Sequence, residues 1–374
     1  MQNLIRLSKS CIGEAEKLAV MGVLDREYLG MGAEVQQFEQ ALTDFFGRPA
    51  VCVVNGTAAL QLALQACGIG PGDEVLVPSL TYVASFQAIS ATGAKPIACE
   101  VDKDSLLLDL ADAATRLTSR TRVIMPVHYT GGVGDLEGIY TFARKNGLRV
   151  VEDAAHAFGT IYKNQRVGGF GDIACFSFDG IKNITSGEGG CIVSDDEEVL
   201  RFLKDARLLG VEKDTEKRYS GQRSWEFDVT IQGWRYHMSN IMAAIGLEQL
   251  RSFDHAVRKR QELAKLYDRL FAGSTTIIPL VRDYETVVPH IYVVKIPGMQ
   301  DRKALQEKLL QSNIQTGIHY QPNHWLAFYN DPLSGSFPAT DEVFPTMLTL
   351  PLHTDLTKAN LEAVVTALIK ELSN

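Results

Sequence analysis

Lys182 stands in "FSFDGIKNITSGEGG" (176–190), a few residues after Ser177 and among small residues that keep the backbone close to whatever the amine touches. A solvated lysine is the commoner fate of this side chain. Beside a phosphate-binding turn and other cationic groups, however, an amine loses some of its preference for the proton. It can then attack a carbonyl and form a Schiff base. The neighbourhood of Lys182 therefore decides its chemistry, and three other stretches bear on it.

In "VVNGTAALQLAL" (53–64) a strand runs through Asn55-Gly56-Thr57 straight into a helix. Gly56 lets the backbone come close to a ligand. Thr57 and Ala58 would present free amides and a hydroxyl at the helix N-terminus, where the dipole favours an anion such as phosphate. A plain capped helix explains the same residues. "LRVVEDAAHAFG" (148–159) places Glu152 and Asp153 at the end of an apolar strand, the edge of an α/β sheet at which ligands bind. A buried Asp153 needs a partner, and a protonated heteroaromatic nitrogen serves as well as an arginine; a helix-capping Asp is the alternative. "VPSLTYVAS" (77–85) brings Tyr82 to a loop after another strand, where it could stack on a planar ring or simply pack in the core. A phosphate cup, a ring partner, an acid for a ring nitrogen and a lysine for an aldehyde are together the parts of a pyridoxal phosphate site.

The elements that must position these residues alternate along residues 50–195. Strand-like runs at 51–54, 74–79, 95–102, 122–128, 148–154, 172–178 and 190–195 are separated by helical segments such as "TAALQLALQACG" and "DLEGIYTFARKNG". Several runs are apolar on both faces, as buried strands of a parallel or mixed sheet are. Each helical segment closes on a glycine. Past residue 250 a long charged helix precedes a strand-like "HIYVVKI", a helix "DRKALQEKLLQSN", a short strand "QTGIHY" and a terminal helix from about 355. The expectation is a large mixed-sheet α/β domain over 1–250 and a smaller C-terminal α+β domain over 251–374.

Composition limits the partners. The 374 residues carry a formal charge of −8, so there is no global basic field for nucleic acid or an anionic membrane surface. No run approaches a membrane span or the pattern of a signal peptide. Six cysteines lie without a CxxC pair, which points to a reducing compartment and gives no metal-ligand spacing. A cytoplasmic protein is expected.

The motifs "NGTAAL", "VPSLTYVAS", "VVEDAAHAFGT", "FSFDGIKNITSGEGG" and "MSNIMAAIGLEQL" resemble, in order and spacing, those of the DegT/StrS family of nucleotide-sugar aminotransferases. The resemblance implies an aspartate-aminotransferase-like fold, pyridoxal 5'-phosphate as cofactor, and transfer of an amino group from L-glutamate to the keto sugar of a nucleoside diphosphate. It implies that Lys182 forms the Schiff base, that Asp153 pairs with the pyridine nitrogen, and that Thr57, Ala58 and Ser177 hold the phosphate. Tyr82 matches the stacking aromatic, and His156 the position beside the phenolic oxygen. His237 stands where the family places an asparagine that reaches the neighbouring subunit's cofactor phosphate. A histidine there can still donate a hydrogen bond, and a homodimer with composite sites is implied.

"TGIHYQPNHWLAFY" (316–329) resembles the family's substrate-side stretch, which makes His319, Tyr320 and His324 candidate sugar contacts. Basic residues in 216–225 or Arg235 are candidates for the diphosphate. "IKNITSGEGG" and "TGIHYQPNH" look more like members that aminate carbon 4 of a 4-keto-6-deoxy or 4-keto pentose sugar than like those acting at carbon 3. The product's implied destination is an O-antigen or other surface polysaccharide, or a glycosylated natural product. Best-known dehydratase relatives carry histidine in place of the lysine, so Lys182 argues against that chemistry. A keto-cyclitol aminotransferase and a non-catalytic cofactor- or sugar-binding scaffold remain the other readings.

Overall fold

The computed structural model describes residues 4–331 and 335–373. Among the described residues, nine strands precede residue 195: β1 (Ala50–Val53), β2 (Glu74–Pro78), β3 (Lys95–Cys99), β4 (Thr121–Ile124), β5 (Arg149–Asp153), the short hairpin β6 (Ile161–Tyr162) and β7 (Gln165–Arg166), β8 (Ile173–Ser177) and β9 (Gly190–Ser194). All but the hairpin join one seven-stranded sheet in the order β1-β9-β8-β5-β4-β2-β3. β9 runs antiparallel to both β1 and β8, while the pairs from β8 to β3 are parallel. The carboxyl ends of β1, β8, β5, β4 and β2 therefore share one edge. The central strands β5 and β8 are almost wholly buried; β8 is apolar on both faces until Ser177 ends it, whereas in β5 the buried Glu152, held by His128 and Tyr140, precedes the terminal Asp153.

Helices cover both faces. One face carries Gly56–Ala66, Val83–Ala91 and Glu197–Ala206, which pack Leu60, Leu64, Phe86, Ile89, Val199 and Leu203 into a core with Val75, Val151 and Ile192. The opposite core gathers Phe38, Leu42, Phe46, Phe158, Phe176 and Phe178. Local chemistry sets the helix ends: Asn55 caps the first of these helices, and Leu136–Asn146 starts on the Asp135 cap and stops at Gly147 with φ of 66°, the left-handed turn glycine permits without a Cβ penalty.

The later chain forms a three-stranded antiparallel sheet, β10 (Ile278–Pro279), β11 (Tyr292–Lys295) and β12 (Met347–Leu350), with Tyr292 opposite Leu350. Helices Phe253–Leu270, Arg302–Gln311 and Lys358–Leu372 enclose its separate core, which includes Leu263, Tyr267, Val294, Leu309, Leu348 and Leu368. Helix Phe253–Leu270 joins the two bodies of packing, for Phe253 lies in the core with Phe38 while Leu263 and Tyr267 lie in the later one. Two departures from expectation stand out. "QTGIHY" is not a strand; it meets β12 through a single bridge, Gly317 to Thr349, and the sheet's third strand is Met347–Leu350 instead. The N-terminal segment also crosses to the later part of the chain, where Ile5 pairs with Ile314. Among the described residues no helix is long and apolar enough to cross a membrane.

Candidate active site

A cavity of about 450 Å³ opens at the carboxyl edge of the large sheet. Gly56, Thr57, Ser177 and Lys182 line one part of it, and Tyr82, Asp153, His156, His319 and Tyr320 line the rest. Residues from widely separated motifs meet because the carboxyl ends of β1, β8 and β5 open on the same sheet edge, with β9 between β1 and β8 and with Lys182 on the loop that leaves β8.

The turn after β1 is built for close approach. A Cβ on Gly56 would lie 2.8 Å from Ser177 Cβ, so only glycine lets the helix start beside the end of β8. Thr57 is exposed and occupies the second helical position, whose amide has no partner within the helix. Ala58 differs from expectation: its N–H donates to Asn55 Oδ1 at 2.8 Å, so the cap side chain takes up an amide that the sequence reading left free for an anion. Thr57, the Ser177 hydroxyl and the helix dipole still form an anion cradle.

Asp153 is buried at the end of β5. Ser85 Oγ donates to Asp153 Oδ2 at 2.7 Å, the Ala155 N–H donates to Oδ1 at 3.2 Å, and Thr81 Oγ1 lies 3.0 Å from Ser85 Oγ. These neutral donors fix the carboxylate's orientation without supplying the countercharge that a buried acid calls for. Lys182 is close enough to feel that charge. Burial drives its pKa down to about 8, against the opposing pull of Asp153 and Asp179. Lys182 Nζ lies 3.4 Å from His290 Nε2.

Histidines and a tyrosine close the remaining side. His156 Nε2 is 3.1 Å from Tyr320 OH, while the buried His156 Nδ1 has no partner. Burial, then the charge of Lys182 and the nearness of His319, keeps His156 neutral well below the ordinary histidine range. His319 Nδ1 lies 2.9 Å from Thr349 Oγ1, and burial followed by Lys182 lowers its pKa to about 4. Tyr82 is 57% exposed over the mouth, its ring 5.2 Å from that of Tyr320.

Besides Ala58, His324 and His237 lie outside the cavity lining. His324 Nδ1 is 2.6 Å from Ser79 Oγ, Nε2 is 2.9 Å from Asp341 Oδ1, and the ring stacks on Phe337 at 4.1 Å. Nδ1 ties the 323–325 turn to Ser79 just past β2 and Nε2 ties it to Asp341 on helix Pro338–Val343, so both ring nitrogens have partners within the chain. His237 also lies outside the cavity of its own chain, bridging β1 at Val53, with a pKa of about 4 set by burial and then by Arg218, Arg235 and Arg207.

Residues that sequence reasoning missed are Ser85, Thr81 and His290. Ser85 and Thr81 sit within the quoted "VPSLTYVAS", where a helix-turn spacing from Tyr82 was the only signal. His290 opens the strand-like "HIYVVKI" and gave none.

Comparison with known proteins gives a consistent result. The family model described as the DegT/DnrJ/EryC1/StrS aminotransferase family matches residues 10–369. The structure of Spr1654 from Streptococcus pneumoniae in its PLP-form superposes with a TM-score of 0.90 at 30% identity, covering 98% of this chain and 99% of that one. PseC from Helicobacter pylori, an aminotransferase involved in pseudoaminic acid biosynthesis, gives 0.91 at 26% identity over 99% and 100% of the two chains. The sugar aminotransferase CalS13 from Micromonospora echinospora gives 0.88 at 30% identity over 98% and 100%.

Proposed function

The chain belongs to the DegT/DnrJ/EryC1/StrS aminotransferase family, and from that premise we propose that it moves the amino group of L-glutamate to the keto carbon of a nucleoside-diphosphate sugar. At the coarser level it is a pyridoxal phosphate-dependent sugar aminotransferase, with the mixed-sheet α/β fold of that family. The observation that supports aminotransfer is the half-buried Lys182 facing a cavity between Asp153 and the Gly56–Ser177 cradle; the donor and the nucleotide sugar rest on the family resemblance.

The residues fit the cofactor. Gly56 lets Thr57 and Ser177 come together at the cavity, Lys182 offers an amine already lowered to about 8, and the orphaned His156 Nδ1 awaits a polar partner. When bound, pyridoxal phosphate supplies an aldehyde for an amine and a ring that holds the electrons left when a substrate carbon loses its proton. Thr57 and Ser177 would hold the phosphate. Asp153, oriented by Ser85, would favour a proton on the ring nitrogen through its charge. Tyr82 would cover the ring, and His156 would offer a hydrogen bond to its phenolic oxygen. The Lys182 amine would move a proton to and from the reacting carbon as general base and acid.

His319 and Tyr320 are assigned to the sugar side of the cavity. We place the domain boundary near residue 250 and amination at carbon 4, which follows from the resemblance of "IKNITSGEGG" and "TGIHYQPNH". A homodimer accounts for the exposed apolar residues Leu18 and Met21 on one helix and Trp225 and Phe227 on the 211–235 segment, and would bring His237 toward the partner's phosphate, with Arg223 or Arg235 near the diphosphate. Synthesis of a surface glycan in the cytoplasm is the corresponding role. The test is turnover of purified protein with L-glutamate and a panel of nucleoside-diphosphate 4-keto and 3-keto sugars, read as amino sugar by mass spectrometry. Amination confined to keto-cyclitols, or none with any keto sugar, would contradict the substrate class.

A further inference from the structure

His290 precedes β11 and its side chain reaches across to the large sheet's carboxyl edge, where Nε2 meets Lys182 Nζ at 3.4 Å. Its ring packs on that of His156 with centroids 4.5 Å apart. The backbone beneath it is fixed by Arg260, a buried guanidinium on helix Phe253–Leu270 whose Nη1 donates to the carbonyls of Pro289 at 3.3 Å, His290 at 3.1 Å and Leu352 at 3.5 Å. A histidine used only for packing has no need of this aim. Resting on the functional reading above, we infer that His290 is a positioning residue for the reactive lysine, its Nε2 holding the unlinked Lys182 amine at the cavity floor.

Burial, then the charge of Lys182, keeps the imidazole neutral, so it carries one N–H. His290 Nδ1 is buried and has no partner. An unpaired buried N–H is the rarer arrangement in proteins, so the proton belongs on Nε2, where it donates to the lone pair of the Lys182 amine. That bond exists only while the amine is uncharged and therefore favours the nucleophilic form. The other groups facing Lys182 are Asp153 and His156 at the end of β5, Asp179 on its own loop and His319. The two carboxylates favour the charged amine, so His290 acts against them.

The experiment follows the rate at which the full chain, stripped of cofactor, regains its visible absorption band on mixing with pyridoxal phosphate, as a function of pH. His290→Leu is expected to slow that rate severalfold on the acid side and raise its pH midpoint by about half a unit or more, the size of one lost hydrogen bond. His290→Gln, which puts an amide N–H near the position of Nε2, should keep the wild-type midpoint. An unchanged midpoint and rate in a folded His290→Leu variant would overturn the inference, as would a Gln variant as impaired as Leu. Should the Leu variant not fold, His290→Asn against His290→Gln decides the same question, because the shorter amide falls short of the lysine: equal midpoints contradict the role, and a raised midpoint in Asn alone supports it. Failure of the wild-type protein to form any band would count against the functional reading instead.

Discussion

The chemistry of Lys182 rests on its burial. A surface lysine would wait until pH 10.5 to lose its proton, whereas here the value falls to about 8. The amine is protonated and inert below that value and nucleophilic above it. Reconstitution of the wild-type protein with pyridoxal phosphate should therefore accelerate through a midpoint near 8, checked by stopped-flow absorbance across pH; a midpoint near the ordinary lysine value would show that the amine is solvated. Lys182→Ala should lower turnover by about two to four orders of magnitude or more while phosphate-held cofactor still binds, measured by steady-state kinetics and by cofactor retention on gel filtration. Asp153→Asn keeps a hydrogen-bonding group but loses the charge that protonates the ring nitrogen. Its turnover should fall about a hundredfold or more, and a near-normal rate would remove Asp153 from that role. At this scale the sequence was informative where chemistry depends on residue type within a local motif: Lys182, Asp153, Ser177 and Thr57 all line one cavity. It was silent where the partner comes from elsewhere, as with Ser85 beneath Asp153 and His290 beside Lys182. Nothing in local spacing marks a side chain whose target is far along the chain.

Elements bring these groups together through strand ends, and the cradle between β1 and β8 is the tightest join. Gly56→Ala would set a methyl 2.8 Å from Ser177 Cβ. Overpacking of this kind costs about 1–3 kcal/mol, so cofactor affinity should weaken about tenfold or more, measured by fluorescence titration; an unchanged affinity would show that the cradle can relax. The strands of the large sheet were readable because burial on both faces forces continuous β-branched runs. Their ends were less so: β3 stops at Cys99, before the charged Glu100 and Asp102 of the 95–102 run, and β4 stops at Ile124, Val127 of the 122–128 run meeting Asp153 only through an isolated bridge. "QTGIHY" failed as a strand because one bridge to Thr349 is all the pairing it finds. The amide of Ala58 went to Asn55 because a cap side chain competes for the donors an anion would use, a competition the motif does not reveal. The partners of His324, Ser79 and Asp341, were equally invisible in its local spacing.

At the scale of the whole molecule, a net charge of −8 leaves phosphate recognition to local devices, and the cradle is proposed as one such device. The exposed Leu18, Met21, Trp225 and Phe227 are more apolar surface than a free chain needs, which is the basis for the dimer proposal. Analytical ultracentrifugation should give a species of twice the 41.2 kDa chain mass, and a monomer at micromolar concentration would contradict composite sites. The mixed α/β fold with its large sheet was legible, but the crossing of the N-terminal segment to Ile314 was not, because a single extended residue pair leaves no periodic signature. The central claim is that Lys182 is the residue that holds the cofactor, and it is tested most directly by treating the purified, cofactor-loaded protein with borohydride and mapping its peptides by mass spectrometry. The account predicts a reduced phosphopyridoxyl group on the peptide containing Lys182 alone; its attachment to another lysine, or its absence from a protein that has bound pyridoxal phosphate, would contradict it.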